Sequence, residues 1–332
     1  MRVLIASLNS AVERLLVVSE HRPGTVHRLV GGDTLAGGKG VNVARVLAQL
    51  TRSGALAGTP DTAPVPLLVG YSGGATGRLF EELLDAEGLA AALVPTAGAT
   101  RICEVLVDQS DPEGATVYNA PGPRIAAPER DRLDEAFERL LADTAALVCT
   151  GSMPPGVPHD QYARWITQAR QHGVLTVLDA HGEALAAGAG AVPDVVKVNL
   201  DELSDVADGG DPFATAHTWL TAGVRLVVVT DGARPARALT AEGAFEVTAP
   251  QVGVRSAVGS GDAFCAGLVG SLLADPAAGW EAHLHMAAAC GASNAASVTA
   301  GLSPDPSPVS LLPQVTVCRS MPGQSPSRGT GS

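Results

Sequence analysis

From residue 144 onward, apolar segments of strand length alternate with segments that have helical periodicity. We interpret 145–150, 174–179, 194–198 and 225–230 as strands, and 159–172, 200–206 and 212–222 as the helices between them. Two further helices are predicted from Asp262 and from about Gly279. Continuous apolar strands separated by helices are typical of a parallel sheet covered on both faces. The pattern therefore predicts an α/β fold.

The first 120 residues have a different pattern. Helical segments at 41–50 and 77–87 are interleaved with short strands near 15–18, 101–108 and 115–118. Short strands in pairs predict a small sheet standing off the main body, with its strands within about 9–35 and 95–120, which in an enzyme can act as a lid. After residue 302 the chain is rich in Pro, Ser and Gly, so we predict one domain over 1–302 and a disordered tail over 303–332.

The composition limits the core and the partners. Of the 332 residues 46% are hydrophobic but only 3% are aromatic, so the core must consist mainly of Ala, Val and Leu. The net charge of −12 argues against a nucleic-acid partner or an anionic membrane surface. An acidic protein that binds phosphate must concentrate its few cations locally, so individual Lys and Arg positions are informative.

The cysteines and the N-terminal segment bear on the compartment. Five cysteines without a C-x-x-C pair indicate buried thiols in a reducing environment. The apolar segment at 2–8 is too short for a signal-peptide core, and no segment is long enough to span a membrane. We expect a cytoplasmic protein.

The segment 256–264, Ser-Ala-Val-Gly-Ser-Gly-Asp-Ala-Phe, is the most informative motif. Its small residues Gly259, Ser260 and Gly261 form a tight turn before a helix, where backbone N–H groups and the helix dipole bind anions. Asp262, itself an acid, follows directly. A carboxylate beside an anion hole can take a proton from a hydroxyl that then attacks a phosphate. The alternative is an ordinary helix N-cap.

A second motif, 36–44, places three glycines around one lysine. Gly38 lets the backbone approach a ligand closely, Lys39 supplies a cation, and Asn42 opens a helix. The spacing is not that of a Walker A loop. The alternative is a flexible turn with a solvated lysine.

Three further motifs follow predicted strands, where ligands bind in open parallel sheets. Ser152 lies in 150–156 and Thr230 in 229–233. Asn199 and Glu202 are three residues apart, so they share a helical face where their oxygens could hold hydrated Mg²⁺. The alternatives are strand-to-helix turns and, for Asn199 with Glu202, a capping box.

Polar residues also occur in the lid half of the chain. Asn9, Glu13, Arg28 and Arg101 are candidates for substrate contacts there. Scattered arginines are normally surface charge, so this pattern alone leaves both interpretations open.

The order of these motifs resembles the PfkB (ribokinase-like) carbohydrate kinases over about residues 1–302. Within that family the chain is most similar to the 1-phosphofructokinase and tagatose-6-phosphate kinase branch, on the segments 22–28, 37–47, 100–102 and 151–158. The resemblance implies a ribokinase-like three-layer α/β/α sandwich with a mainly parallel central sheet and a β-sheet lid. It also implies ATP as phosphoryl donor, Mg²⁺, and pairing of lids in a homodimer.

The resemblance implies a role for each matching residue. Asp262 would be the catalytic base, with Gly259, Ser260 and Gly261 as the anion hole. The substrate would contact Glu13, Arg28, Gly38, Lys39, Asn42, Arg101 and Ser152, with Lys39, Arg101, Ser152 and Arg28 on its phosphate. ATP would contact Lys197, Asn199, Glu202, Thr230, Gly232 and Asn294, and Glu202 would also organise Mg²⁺ through water.

Several positions depart from the branch. Glu13 replaces its usual Asp, which moves the carboxylate by about 1.5 Å, the length of one C–C bond. Cys103 replaces an Asn, Val198 a Pro, and Ser260 the more common Ala, while 232–236 lacks a second glycine. The change at Glu13 leaves the identity of the sugar open.

We therefore predict an ATP-dependent phosphotransferase that acts on a hydroxyl of a phosphorylated ketohexose, with fructose 1-phosphate favoured and tagatose 6-phosphate next. One alternative is a kinase of a free sugar or nucleoside with the same fold. Another is a non-catalytic sensor of sugar phosphates or nucleotides. A dinucleotide-dependent oxidoreductase is disfavoured because no G-x-G-x-x-G follows the first strand.

Overall fold

In the computed structural model, which describes residues 1–56, 63–111 and 115–320, the strands form a ten-stranded central sheet and a four-stranded lid sheet. The strands are β1 (Arg2–Ser7), β2 (Ala11–Val18), β3 (Gly31–Gly37), β4 (Val65–Gly73), β5 (Ala90–Thr96), β6 (Arg101–Asp108), β7 (Ala115–Asn119), β8 (Thr144–Thr150), β9 (Leu175–Asp179), β10 (Val195–Asn199), β11 (Leu226–Asp231), β12 (Arg234–Thr240), β13 (Gly243–Thr248) and β14 (Thr316–Ser320).

The central sheet has the order β14-β13-β12-β11-β10-β9-β8-β1-β4-β5. From β11 to β5 every neighbouring pair is parallel, whereas β12, β13 and β14 are added antiparallel at one edge. The predicted mainly parallel sheet is confirmed. Its parallel strands are apolar almost throughout because both faces are covered.

Helices cover the two faces and enclose two hydrophobic cores. One core includes Val46, Phe80, Leu268 and Leu284, and the other includes Trp165. The helices are α1 (Lys39–Ser53), α2 (Gly74–Glu87), α3 (Ala127–Leu141), α4 (Gln161–Gln171), α5 (Gly182–Gly190), α6 (Leu200–Val206), α7 (Pro212–Ala222), α8 (Ser260–Ala274), α9 (Trp280–Ala295) and α10 (Pro308–Leu311). The predicted three-layer α/β/α sandwich is therefore confirmed.

Helix α8, which begins at the anion-hole motif, is buried along most of its length. It packs against α1 and α9, and small residues make this close packing possible. A Cβ at Gly267 would lie 2.8 Å from Sγ of Cys290 and 2.9 Å from the carbonyl oxygen of Met286. The helix is thus held rigidly, and so are the residues at its N-terminus.

The lid sheet has the order β3-β2-β6-β7. Strands β2 and β6 are parallel and place Glu13 opposite Cys103, while β3 and β7 pair antiparallel on the outside. Strands β2, β6 and β7 lie within the predicted lid segments, and β3 extends two residues beyond the predicted bound of about 35. Strand β3 leads directly into α1, so the lid is joined to the helix that carries Lys39 and Asn42.

The prediction of a disordered tail from residue 303 is wrong for residues 303–320. This segment forms α10, a 3-10 helix at Leu312–Gln314 and β14, which pairs with β13 over five residue pairs. The polar composition suggested disorder, but β14 is an edge strand that gains its order from the hydrogen bonds of β13. Residues 321–332 lie outside the described residues.

Candidate active site

The carboxyl ends of the parallel strands form the floor of the site. Asp179 is the last residue of β9 and Asn199 the last of β10, and Ser152 follows the end of β8. Parallel strands bring these ends to one edge of the sheet, where α/β proteins bind their ligands. The N-termini of α1 and α8 and one side of the lid meet at the same edge, as the contacts below show.

The anion-hole motif forms the N-terminal turn of α8. Gly259 is the N-cap and has φ 82° and ψ −3°, a left-handed conformation that favours glycine. Ser260 and Gly261 begin the helix, where the first N–H groups have no partner within the helix. That of Ser260 donates instead to the carbonyl oxygen of Ala257 at 3.2 Å. Asp262 lies on this turn and is only 6% exposed. The carboxyl group of Asp262 therefore lies on the same turn as the residues predicted to bind an anion.

Burial is the main reason why the pKa of Asp262 is raised to about 6. The positive charges of Lys39 and Lys197 oppose this shift, and the negative charge of Asp179 adds to it. Asn42 donates a hydrogen bond from Nδ2 to Oδ2 of Asp262 at 2.8 Å. A carboxyl group with such a pKa is a suitable general base near neutral pH.

Two lysines approach Asp262 and share one buried acid, Asp179. Lys39 Nζ lies 3.3 Å from Oδ1 of Asp179, and Lys197 Nζ lies 3.1 Å from its Oδ2. Asp179 is fully buried, yet Lys197 and Lys39 lower its pKa despite the opposing effect of burial. Burial alone would lower the pKa of Lys39, but the negative charges of Asp179, Asp262 and Glu202 raise it above its usual value.

Lys197 lies against the anion-hole turn. A Cβ at Gly261 would stand 2.8 Å from Nζ of Lys197, so only glycine leaves this ammonium in place without displacement. The ammonium therefore lies beside the N-terminal turn of α8. Together they form a site for a group with several anionic oxygens.

Sequence reasoning missed Asp179. The acid ends a strand that the apolar pattern had identified, at the edge where ligands bind, and that position was the available signal. It also missed Arg45, which stands three residues after Asn42 and donates to its Oδ1 at 2.9 Å.

Asn199 and Glu202 form the predicted capping box of α6. Asn199 Oδ1 accepts from the backbone N–H of Glu202 at 2.7 Å, and Glu202 Oε2 accepts from the N–H of Asn199 at 3.1 Å. The other oxygen of Glu202 accepts from Lys39 Nζ at 3.1 Å. Glu202 thus caps α6 with one oxygen and binds Lys39 with the other.

Asn294 was predicted to contact ATP, but it is 1% exposed and its side chain is used inside the protein. Its Nδ2 donates to the carbonyl oxygen of Val258 at 2.9 Å and to Oγ of Ser260 at 3.1 Å. Its Oδ1 accepts from the N–H of Gly301 at 2.7 Å. Asn294 therefore stabilises the conformation of the anion-hole turn through these hydrogen bonds.

A second cluster joins the root of the lid to the sheet. Arg101 Nε donates to the carbonyl oxygen of Asn9 at 2.9 Å, and its Nη1 donates to that of Ala120 at 2.7 Å. Asn9 Nδ2 donates to Oγ of Ser152 at 2.9 Å. Burial lowers the pKa of Arg101. Among the residues that the structure describes, no carboxylate forms an ion pair with this partly buried guanidinium.

Glu13 lies on the inner side of the lid. It lines a small cavity with Val258 of the anion-hole segment and Ala300. Burial raises the pKa of Glu13, and the charge of Arg45 opposes this shift. Gly37 on the adjacent strand leaves room for the longer side chain, since a Cβ there would lie 2.6 Å from the Cβ of Glu13.

Comparison with known protein families agrees with the geometry of this site. Residues 3–307 match the model of the pfkB family carbohydrate kinases. The chain belongs to the pfkB family. Its members are phosphotransferases that use an alcohol group as acceptor, so the predicted enzyme class is confirmed.

Two curated pfkB relatives and one solved structure illustrate the similarity. A 1-phosphofructokinase from Xanthomonas campestris pv. campestris is 31% identical over 83% of this chain and 85% of its own. A tagatose-6-phosphate kinase from Staphylococcus epidermidis is 28% identical over 82% of this chain and 85% of its own. Phosphofructokinase-2 from Escherichia coli, solved in complex with potassium, superimposes with a TM-score of 0.82 at 24% identity, covering 94% of this chain and 98% of that one. That structure supports the fold alone.

The pfkB site has donors suited to nucleotide-bound Mg²⁺. Within the part of the chain that the structure describes, no cluster of three or more His, Cys, Asp or Glu side chains could hold a metal ion directly. Mg²⁺ commonly keeps several waters and binds through one or two carboxylates and the phosphates of the nucleotide. Glu202 fits this role because it is partly exposed beside the lysine pair.

Three of the residues predicted from the pfkB resemblance form no side-chain hydrogen bond or ion pair with these two clusters among the described residues. Arg28 is exposed in the loop between β2 and β3. Thr230 pairs with Asn199 across the sheet, and Gly232 lies in the turn after β11 with φ 58° and open space around its Cα. Thr230 and Gly232 thus lie at the carboxyl edge of the sheet near Asn199, whereas Arg28 forms no hydrogen bond or ion pair there among the described residues.

Over residues 1–56, 63–111 and 115–320, no helix is both long and apolar enough to cross a bilayer.

Proposed function

We propose that the protein transfers the γ-phosphoryl group of ATP to a hydroxyl of a phosphorylated ketohexose, with fructose 1-phosphate favoured and tagatose 6-phosphate next. The observation that carries this proposal is the position of Asp262. Its buried carboxyl group, with a pKa of about 6, lies between the amide of Asn42 and two lysines at an anion-binding helix end. A ligand sensor would need the cations but not the base.

The first step assigned to the site is proton removal. Asp262 accepts the proton of the acceptor hydroxyl as that oxygen attacks the γ-phosphorus. Lys39, whose pKa is raised by the acids around it, stays protonated and attracts both anionic substrates. Gly38, at the N-cap of α1 with φ 109°, brings the backbone close to the sugar, which Asn42 and Glu13 would also contact.

The second step is charge stabilisation. The transferring phosphoryl group would meet the N–H groups of Gly259, Ser260 and Gly261 and the ammonium of Lys197. Preorganised donors of this kind stabilise charge that develops in the transition state. Bound Mg²⁺, held through Asn199, Glu202 and water, would neutralise the charge on the nucleotide phosphates, while Thr230 and Gly232 line the nucleotide.

The substrate phosphate is assigned to Arg101, Lys39 and Ser152. Arg101 uses two of its donors on backbone carbonyls and has no carboxylate partner among the described residues. An arginine in this situation can offer the rest of its donors to phosphate. The names of the two curated relatives, which act on phosphorylated ketohexoses, support this substrate class. Arg28 could join only if its loop moved toward the site.

An assay of ADP and sugar-phosphate formation tests the proposal. The purified chain is given ATP with fructose 1-phosphate, tagatose 6-phosphate, fructose 6-phosphate, free fructose and ribose, each with Mg²⁺ and with EDTA. We expect turnover on a ketohexose phosphate, dependence on Mg²⁺, and a loss of about 10²-fold or more in kcat for D262N, in line with general-base losses. Near-normal turnover by D262N would refute the assigned base.

The same panel distinguishes the second candidate, a kinase of a free sugar. The observation in its favour is Glu13, whose carboxylate replaces the shorter Asp expected in the branch. Free fructose or ribose as the better substrate would establish that alternative. If no sugar or sugar phosphate gave ADP, the result would favour the non-catalytic sensor.

We also propose that two copies pair through their lids. The lid carries the exposed side chains of Ile102, Val117 and Tyr118, which are apolar in whole or part. A dimer would bury them together. Analytical ultracentrifugation of the wild type and of V117D tests this, since a monomer in both would contradict it.

A further inference from the structure

We propose that Arg45 is a positioning residue for the base, because its guanidinium fixes the orientation of the Asn42 amide that in turn holds Asp262. This inference rests on the proposed function, in which Asp262 is the base. It goes further by assigning a role to a residue three positions beyond the glycine-lysine motif. Arg45 touches neither reacting atom and acts through Asn42.

Arg45 is a buried arginine on α1, only 8% exposed. Its Nε and Nη2 donate to the carboxylate of Glu87 on α2, at 2.5 and 2.8 Å. Nη2 also donates to the carbonyl oxygen of Ala36 at 2.6 Å, and Nη1 to that of Ala300 at 3.2 Å. Contacts with a helix, a lid strand and a loop leave this guanidinium little freedom.

The remaining contact of Arg45 decides which way the Asn42 amide faces. Nη1 of Arg45 donates to Oδ1 of Asn42 at 2.9 Å. A guanidinium has donors only, so the amide group that faces it must be the oxygen. The NH₂ group of Asn42 therefore faces the other way and donates to Oδ2 of Asp262 at 2.8 Å. A flipped amide would place one oxygen against another at Asp262.

The hydrogen bond from the Asn42 amide keeps Asp262 in one rotamer and favours its ionised form. With Oδ2 occupied by Asn42, the other oxygen, Oδ1, is left for the acceptor hydroxyl. The other charged or titratable groups that face Asp262 are Lys39 of α1, Asp179 of β9, Lys197 of β10 and the buried thiol of Cys265 on α8. Arg45 forms no hydrogen bond or ion pair with Asp262, so its contact with that carboxyl group runs through Asn42.

The charge of Arg45 also acts on Glu13, on the inner side of the lid. Burial raises the pKa of Glu13 and the charge of Arg45 opposes that rise, which favours the ionised carboxylate as an acceptor for sugar hydroxyls. Loss of the charge at Arg45 would therefore weaken sugar binding as well. This effect changes the KM for the sugar, whereas the effect through Asn42 changes kcat and its pH dependence.

The alternative is a purely structural role, in which Arg45 only anchors α1 to α2. Neither R45M nor R45K reproduces the planar fork of donors. The kinetic changes in these variants distinguish a positioning role from a purely structural one. We expect R45M to lower kcat about 10-fold, as expected for a misplaced catalytic group. We also expect the acidic limb of kcat/KM to move up by about one pH unit, the size of a lost charge-assisted hydrogen bond. The KM for ATP should change less than about threefold.

A double-mutant cycle with N42A isolates the route through the amide. If Arg45 acts through Asn42, adding R45M to N42A lowers kcat by no more than about twofold beyond N42A alone. A full, additive loss in the double variant would overturn the proposal. So would an unshifted acidic limb in both R45M and R45K. R14M, which removes an exposed ion pair with Glu104, serves as the arginine control.

A measurement on the folded wild type covers the case in which R45M does not fold. The side-chain amide of Asn42, labelled with ¹⁵N and assigned by its loss in N42A, should titrate with a midpoint near that of Asp262. The same signal should not titrate in D262N. A wild-type amide that is insensitive to pH would overturn the proposal even with D262N inactive, whereas active D262N would instead refute the base itself.

Discussion

Lys197 and Asp179 form a buried ion pair whose atoms lie 3.1 Å apart at the carboxyl end of the central sheet. The second oxygen of Asp179 binds Lys39 at 3.3 Å, so one acid sets the positions of two cations. Removing one partner of a buried pair leaves an uncompensated charge, which is more costly than exchanging the whole pair for apolar groups. Asp179 thus offsets the repulsion between the two lysines and holds both beside the anion site.

Replacement of Asp179 by asparagine should impair ATP use. D179N keeps the shape but leaves two lysines close together without the shared acid, so we expect kcat/KM for ATP to fall about 10²-fold or more. Steady-state kinetics together with thermal unfolding measure this. D143N, at an exposed acid near the opposite end of β8, is the matched control and should behave as the wild type. An unchanged kcat/KM in D179N would contradict the role.

Replacement of Gly261 by alanine should disturb the anion site from within. The added Cβ would stand 2.8 Å from Nζ of Lys197, so the lysine or the turn must shift. We expect kcat/KM for ATP to fall by about 10- to 100-fold, as for other displaced transition-state donors. G190A, in a helix with open space around the glycine, is the control and should leave activity intact. Equal activities of G261A and G190A would show that the lysine is not needed there.

Activity and stability should respond in opposite ways to the ionisation of Asp262. Its pKa of about 6 predicts an acidic limb of kcat/KM near pH 6, which D262N should abolish. Because this folded-state pKa is above the usual 3.8, ionising Asp262 costs folding free energy; the cost is absent below about pH 4 and grows toward pH 6.

D262N should therefore raise Tm at pH 8 by a few degrees and have little effect at pH 4. Thermal unfolding of both proteins at the two pH values checks this. A lower Tm for D262N at pH 8 would mean that the charged form of Asp262 stabilises the fold.

Replacement of Arg101 by alanine should affect phosphorylated substrates more than free sugars. Arg101 is partly buried and has no carboxylate partner among the described residues, so its charge is available to a phosphate. We expect R101A to raise the KM for the ketohexose phosphate by about 10-fold or more, the value of a charge-assisted hydrogen bond, and to change the KM for free fructose little. Equal losses on both substrates would show that Arg101 only braces Asn9 and Ala120.

Much of the fold followed from the sequence because its signals are local. Alternating apolar strands and helices predicted the mainly parallel sheet, and short paired strands predicted the lid. The β14 strand was not predicted, since its polar residues have no pattern of their own and depend on pairing with β13.

The sequence by itself determined the motif residues, from the glycines of the anion-hole turn to Lys39, Asn42 and Asp262, because small residues and charges at fixed spacing have a direct chemical meaning. Only the tertiary structure decided which distant groups they meet. Lys39 reaches Asp179 across 140 positions, and Asn42 reaches Asp262 across 220. Such contacts depend on how the strand ends and helix N-termini are brought to one edge, and no local pattern encodes that arrangement.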